Sequence, residues 1–271
     1  MLAAVPAGSA VKVLSTLKEF FKRLPLGSAI YTHLKTVLRY KNFVADFRRF
    51  RCLAMDSSPR FPLRWENRFP CLDDKTATTA FDRHYVYHPA WAARILAKTE
   101  PGFHVDISSS LHFVSLVSAF LPVRFYDYRP ADLHLNNLSC EKADLLALPF
   151  PDASVKSLSC MHVVEHVGLG RYGDPLDPDG DLKAMRELQR ILAPEGSFLF
   201  VVPVGKPILQ FNAHRIYSHS QILDQFSELA LQEFTLVPES PEGGPPIRNA
   251  SKERTDREHY GCGCFWFKRL P

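Results

Sequence analysis

The 271-residue chain has only six cysteines and 13 glycines, and it has no long apolar run. Six cysteines are too few for a disulfide scaffold of this length, so we predict reduced thiols. The longest uncharged stretch, residues 107–123, contains His112, five serines and Pro122. It is shorter than the roughly 20 apolar residues of a membrane span, so no transmembrane helix is predicted. Residues 1–11 form no signal-peptide core before Lys12, and we therefore expect a cytoplasmic protein.

The overall composition is that of a folded globular protein. Hydrophobic residues make up 46% of the chain and charged residues 23%. These values exclude wholesale disorder, a collagen-like repeat and a coiled-coil rod. No internal repeat is visible, and the length suits one large domain or one domain with an appendage.

Positive charge is concentrated at the N-terminal end. Residues 1–51 contain ten basic and two acidic residues, a net charge of +8. Because the whole chain carries +4, the remaining residues carry −4. A basic arm of this kind suits contact with phosphate groups, although a solvated helix face is the commoner explanation. The arm lacks an interleaved base-stacking motif, which argues against nucleic acid as its partner.

The N-terminal 75 residues are predicted to form a basic helical extension followed by a linker. Apolar residues recur at helical spacing from Leu14 to Leu24 and from Tyr40 to Phe50, which predicts two or three amphipathic helices. These helices either dock on the rest of the protein, pair with another subunit, or make peripheral contact with a membrane. Residues 56–74 are rich in Pro and Arg and read as a linker, so we place a domain boundary near Lys75.

Residues 76–271 show the pattern of an α/β domain. Helices are predicted at 81–98, 111–121 and 181–192, and short strands at 104–108, 123–128, 157–163, 197–203, 229–238 and 262–269. The last of these strands is expected to close the sheet as a short hairpin partner. Such alternation predicts a Rossmann-like, doubly wound, mostly parallel sheet with helices on both faces.

Ligands of such sheets bind outside the carboxyl ends of the strands, and three carboxylates occur at such positions. Asp106 follows the first strand, Asp127 the second, and Asp144 precedes two leucines. A carboxylate after the second strand suits a ribose diol, and Asp144 suits an adenine amino group. The alternative is that each carboxylate only caps the turn or helix that follows it.

Three segments resemble the class I S-adenosylmethionine-dependent methyltransferases. Residues 143–155 resemble the family's segment between the third and fourth strands, and residues 159–167, with Glu165-His166-Val167, resemble its fourth strand and exit. Residues 185–196, from Met185-Arg186-Glu187-Leu188 to Pro194-Glu195-Gly196, resemble its following helix and turn. The blocks around Asp82-Arg83-His84-Tyr85 and Tyr260-Gly261-Cys262 are also similar to an uncharacterised bacterial branch, a domain of unknown function.

One motif departs from the family pattern. The family has an acidic residue followed by a glycine pair, whereas this chain has Asp106-Ile107-Ser108-Ser109-Ser110. A Cβ at these positions narrows the approach to the cofactor and disfavours positive φ, whereas the alternative is that the serine hydroxyls cap the helix and bind the cofactor carboxylate. The resemblance therefore leaves two hypotheses, a working methyltransferase with a serine-lined loop and an inactive methyltransferase fold that binds a partner or ligand.

The resemblance implies S-adenosylmethionine as cofactor and a set of site residues. The residues expected to bind the cofactor are Asp106, Ser108, Ser110, Asp127, Tyr128, Asp144, Leu145 and His162. The general base for a hydroxyl or amine acceptor is expected to be Glu165 or His166. The resemblance favours a small molecule or a glycan as the methyl acceptor. No metal site is predicted, because no second Cys or His pair at ligand spacing accompanies Cys262 and Cys264.

Overall fold

The computed structural model of the protein describes residues 27–55 and 60–271. The chain divides into two units, Met1–Ala80 and Phe81–Pro271. The helix predicted between Leu14 and Leu24 lies outside the described residues. Within the described residues, no helix is both long enough and apolar enough to cross a membrane.

The first unit is built on one long helix, α1 (Gly27–Met55). The Pro- and Arg-rich segment after it makes a short 3₁₀ turn at Trp65–Asn67. The Trp65 ring lies 4.9 Å from the ring of Phe47 and 6.3 Å from that of Phe43. The aromatic residues predicted on this helix thus pack against the segment predicted to be a linker, which folds back on α1.

The second unit contains the remaining helices and all the strands assigned in the described residues. Its helices are α2 (Arg83–Thr99), α3 (Leu111–Val117), α4 (Gly180–Ile191), α5 (His219–Gln225) and α6 (Lys252–Thr255). Its strands are β1 (His104–Ile107), β2 (Val123–Asp127), β3 (Leu138–Lys142), β4 (Val155–Met161), β5 (Leu192–Val204), β6 (Ile208–Gln210), β7 (His214–Ile216), β8 (Leu229–Val237), β9 (Ile247–Arg248) and β10 (Gly261–Arg269).

Eight strands form one twisted sheet in the order β3-β2-β1-β4-β5-β10-β8-β9. The first five run parallel, and β10 pairs antiparallel with both β5 and β8. The order reverses between β1 and β4, which is the switch point of a Rossmann-like sheet. The predicted fold class is thus confirmed.

Two apolar layers cover the sheet, one on each face. Helices α2 and α3 pack on one face through Ala92, Leu96 and Phe113. Helices α4 and α5 pack on the other through Leu188 and Ile222. Burial on both faces explains why the central strands read as nearly continuous apolar runs.

Local sequence signals set the helix starts. Asp82 caps α2 by accepting a hydrogen bond from the backbone N–H of Tyr85, and Ser110 caps α3 in the same way. Ser218 and Gln221 form a reciprocal capping box at the start of α5. Each cap satisfies backbone donors that the first turn of a helix leaves unpaired.

The position of β10 corrects one sequence-based expectation. This strand does not close the sheet as a short hairpin partner, because it lies inside the sheet and pairs along its length with β5 and β8. Its first five residues are buried, including Cys262 and Cys264. Interior strands are covered on both faces, and small residues at 261–264 fit that position.

Candidate cofactor cleft

A cleft of about 290 Å³ lies at the carboxyl ends of the parallel strands. Its walls come from the segments after β1, β2, β3 and β4, which the strand order brings to one edge of the sheet. This is the position at which ligands of open α/β sheets bind. The volume is at the lower end of the range of small-molecule sites, about 300 to 1,000 Å³.

Asp106 shapes the loop after β1 from inside the protein. Its carboxylate is fully buried, accepts a hydrogen bond from the Ser109 backbone N–H at 3.0 Å, and accepts another from the Ser159 hydroxyl. Burial raises the pKa of Asp106 to about 6. Asp106 is absent from the cleft lining, so direct contact between this side chain and a cofactor stays a prediction.

The three serines of this loop have three different roles. Ser108 lines the cleft with φ at +58°, so its backbone takes the left-handed conformation despite its Cβ. The Ser109 hydroxyl accepts a hydrogen bond from the backbone N–H of Met161 at 3.1 Å and joins the loop to β4. The Ser110 hydroxyl caps α3, accepting from the Phe113 N–H at 3.3 Å, which confirms the capping alternative for this residue.

Asp127 and Asp144 both line the cleft. Asp127 Oδ1 accepts a hydrogen bond from the Arg129 N–H at 2.7 Å, and Asp144 Oδ1 accepts one from the Leu146 N–H at 2.9 Å. Both carboxylates therefore cap the turns that follow them, which was the alternative to ligand binding in the sequence analysis. Neither Oδ2 atom hydrogen-bonds to any group in the described part of the chain, and each is available to a ligand.

A buried carboxylate links two histidines after β4. Glu165 is fully buried, and its Oε1 lies 2.9 Å from Nδ1 of His162 and 3.6 Å from Nε2 of His166. His166 Nδ1 lies 2.6 Å from the carbonyl oxygen of Ala213, so a proton on Nδ1 is donated to that oxygen. His162 and His166 line the cleft, whereas Glu165 lies behind them.

Helix α2 adds aromatic and imidazole rings next to this group. His84 and Tyr85 stack on His162 with ring centroids 5.2 and 5.5 Å away, and His88 lies 5.0 Å from it. Burial lowers the pKa of His84 to about 4 and holds that of His88 well below its usual value. Trp91, the other aromatic residue considered for an acceptor pocket, packs in the core.

The structure brings most of the predicted residues together. Those that line the cleft are Ser108, Asp127, Tyr128, Asp144, Leu145, His162 and His166. Asp106, Ser110 and Glu165 are not part of this lining. The roles assigned to all of them stay predictions. His88 was not predicted from the sequence. The four-residue spacing between His84 and His88 places both on one face of a helix, and that spacing could have identified it.

A wider groove of about 670 Å³ lies elsewhere in this unit. It is lined by residues of α4, of the β6–β7 hairpin and of α5, and it contains none of the predicted site residues. We assign the site to the smaller cleft because that cleft lies at the switch point of the sheet.

One family model matches the chain, over residues 153–231. Its description is "Caenorhabditis protein of unknown function, DUF268". The match agrees with the expected similarity to a domain of unknown function, whereas the bacterial branch stays a prediction. No curated protein sequence matches the chain.

Several solved structures are similar in fold. The YcgJ protein from Bacillus subtilis is 18% identical, with 67% of this chain and 99% of that one covered and a TM-score of 0.46. The 1,6-didemethyltoxoflavin-N1-methyltransferase of Burkholderia thailandensis, solved with S-adenosylhomocysteine, is 11% identical, with 89% and 90% covered and a TM-score of 0.48. A geranyl diphosphate methyltransferase solved with SAM is 14% identical, with 67% and 85% covered and a TM-score of 0.46.

Likeness at this level carries no argument about activity or substrate. The strand order and the cleft by themselves define a Rossmann-like α/β protein with a mostly apolar cleft at its switch point, into which a few carboxylates and histidines face. The function is therefore argued below from the residues of that cleft.

Proposed function

We propose that the protein binds S-adenosylmethionine in this cleft and transfers its methyl group to a hydroxyl or amine of a small molecule or glycan. The observation that carries the proposal is the pair of carboxylates, Asp127 and Asp144, in one cleft at the switch point. Each has one oxygen fixed by a turn and one oxygen available to a ligand. This donor set fits a ribose diol and an adenine amino group.

The loop after β1 favours this cofactor over a dinucleotide. A dinucleotide pyrophosphate requires a glycine-rich turn whose backbone N–H groups face the ligand. Here the Ser109 N–H is already bonded to Asp106, and the Ser110 hydroxyl caps α3. Ser108 nevertheless keeps the backbone conformation that glycine favours, so the loop retains the path of a close backbone approach.

When bound, S-adenosylmethionine supplies an electrophilic methyl group on a sulfonium ion. The chain's own contribution is to orient the acceptor and to take up its proton. We assign the proton-accepting role to His166, which lines the cleft, and a positioning role to Glu165, which is buried between His162 and His166. Holding two reactants in line supplies much of the acceleration of such a transfer.

Calorimetric titration of S-adenosylmethionine into the full chain tests the proposal. Asp127→Asn is the informative variant, because its amide oxygen still accepts from the Arg129 N–H while the carboxylate charge is lost. Loss of a charged hydrogen bond is worth about 1.5 to 3 kcal/mol, so we expect affinity to fall about 10- to 100-fold. Asp132→Asn, at an exposed residue outside the cleft, is the matched control and should bind like the wild type.

Titration with NAD, carried out beside that with S-adenosylmethionine, also tests the choice of cofactor. Binding of NAD in preference to S-adenosylmethionine would contradict the assignment of the cofactor. No binding of S-adenosylmethionine at millimolar concentration by the folded protein would refute the proposal. That result would leave an interaction protein built on the same fold.

A further inference from the structure

Three buried side chains from distant parts of the chain converge beside the cleft. His84 comes from α2, His162 follows β4, and Cys262 lies in β10. One ring nitrogen of each histidine and the sulfur of Cys262 all lie within 4.8 Å of one another. Two imidazoles and a thiol at this separation form a donor set typical of borderline divalent metals such as Zn²⁺.

The hydrogen bonds around His162 supply a second, independent observation. Its Nδ1 lies 2.9 Å from the carboxylate of Glu165, while its Nε2 is buried and has no partner. A buried nitrogen without a partner is costly and requires an explanation, such as an ion. A carboxylate that accepts from one ring nitrogen while the other faces a metal is also the usual arrangement behind a histidine ligand.

His84 has an acceptor beside one ring nitrogen, and its neighbour His88 has unpaired ring nitrogens. His84 Nε2 lies 3.1 Å from the carbonyl oxygen of Tyr260, a backbone acceptor of the kind that orients a histidine ligand. His88, one turn further along α2, is fully buried, and neither of its ring nitrogens has a partner. Of the unpaired imidazole nitrogens in this region, the one on His162 belongs to the group of possible ligand atoms and the two on His88 do not.

We propose that His84, His162 and Cys262 bind a single divalent metal ion of the Zn²⁺ type, with Glu165 as the carboxylate that orients His162. Binding releases one proton, from the Cys262 thiol, and leaves both imidazoles neutral. Three protein ligands leave a fourth position of a tetrahedral ion for a water or a substrate atom. Because His162 also lines the cleft, that ion lies next to the cleft. The site does not depend on the proposed methyl transfer.

Cys264 provides a matched control within the same strand. Its sulfur lies 3.8 Å from that of Cys262, and both thiols are fully buried in the same apolar layer. Cys264 is nevertheless not part of the group of ligand atoms. A metal site therefore predicts different effects for the two cysteines, whereas a simple pair of buried thiols predicts similar effects.

The test uses the full chain, treated with a chelator and then titrated with Co²⁺ as a spectroscopic probe and with Zn²⁺ in competition. We expect one Co²⁺ per chain, with the near-ultraviolet absorption of a thiolate–cobalt bond, displaced by Zn²⁺. Cys264→Ser should retain this absorption, and Cys262→Ser should lose it. Glu165→Gln should retain it with an affinity about 10- to 100-fold lower.

Three results would overturn the proposal: no stoichiometric binding by the wild type, absorption that survives in Cys262→Ser, or equal loss in both cysteine variants. Circular dichroism reports whether each variant is folded. If Cys262→Ser does not fold, His84→Gln replaces it. A fall in Co²⁺ affinity of tenfold or more in that variant supports the site, and an unchanged affinity refutes it.

Discussion

Replacing Asp106 with Asn should make the protein more stable, relative to the wild type, at neutral pH than at acid pH. Asp106 is fully buried at the end of β1, and burial raises its pKa to about 6 from an ordinary value of 3.8. The folded state therefore holds a proton on this carboxyl at pH values where the unfolded chain has released it. Stability that this carboxyl contributes at low pH is lost as the pH rises through that interval.

The size of the effect follows from the pKa. At about 1.4 kcal/mol per pKa unit, the difference between the two pKa values corresponds to about 3 kcal/mol over the whole titration, most of it between pH 4 and pH 7. Asparagine mimics the protonated carboxyl and does not titrate. Its different hydrogen bonds to Ser109 and Ser159 add an offset that is the same at every pH. The pH dependence of the difference between variant and wild type thus isolates the ionisation of Asp106.

The assay is urea unfolding of both proteins at several pH values, followed by tryptophan fluorescence. The stability of Asp106→Asn relative to the wild type should increase between about pH 4 and pH 7 and level off above that. Asp132→Asn, at an exposed site, should show a constant difference. A constant difference for Asp106→Asn as well would show that this carboxyl titrates at its ordinary pKa, and the reasoning from burial would be refuted.

Two further predictions concern backbone conformation. Ser108 has φ at +58° and donates a hydrogen bond to the Tyr126 carbonyl, so Ser108→Gly and Ser108→Ala both lose that bond, but only glycine relieves the backbone strain. In thermal unfolding, Ser108→Gly should be about 1 kcal/mol more stable than Ser108→Ala, and equal stability of the two variants would contradict this. A Cβ on Gly168 would lie 2.0 Å from the Asp177 carbonyl oxygen, whereas a Cβ on Gly173 meets nothing within 4 Å, and both residues have positive φ. Gly168→Ala should therefore lower the free energy of unfolding by at least about 2 kcal/mol and weaken ligand binding, whereas Gly173→Ala should lower it by about 1 kcal/mol. Similar losses of stability in the two variants would be inconsistent with the packing of this loop.

The positions of most helices and strands were predictable from local patterns. The predicted helix at 81–98 is observed as Arg83–Thr99, and that at 181–192 as Gly180–Ile191. Caps and apolar spacing are encoded within a few residues, so they are readable without the fold. β3 was missed because its residues, Leu138–Lys142, are only partly buried and lack an apolar run.

The candidate site was predictable in part. Asp127 and Asp144 were identified because residues after parallel strands meet at one edge of a sheet. The convergence of His84, His162 and Cys262 was not predictable, because their separation along the chain hides their proximity. The burial of Asp106 and Glu165 was also not predictable, because it depends on packing against elements far away in sequence.

The sequence by itself determined the composition class, the local elements and the alternation that leads to a doubly wound sheet. Periodicity and capping are local properties, and short segments express them independently. Only the tertiary structure decided that β10 runs antiparallel inside the sheet and that its Cys262 lies close to one imidazole from α2 and one from the segment after β4. Strand order and side-chain convergence depend on how distant segments bury one another, which no local pattern records.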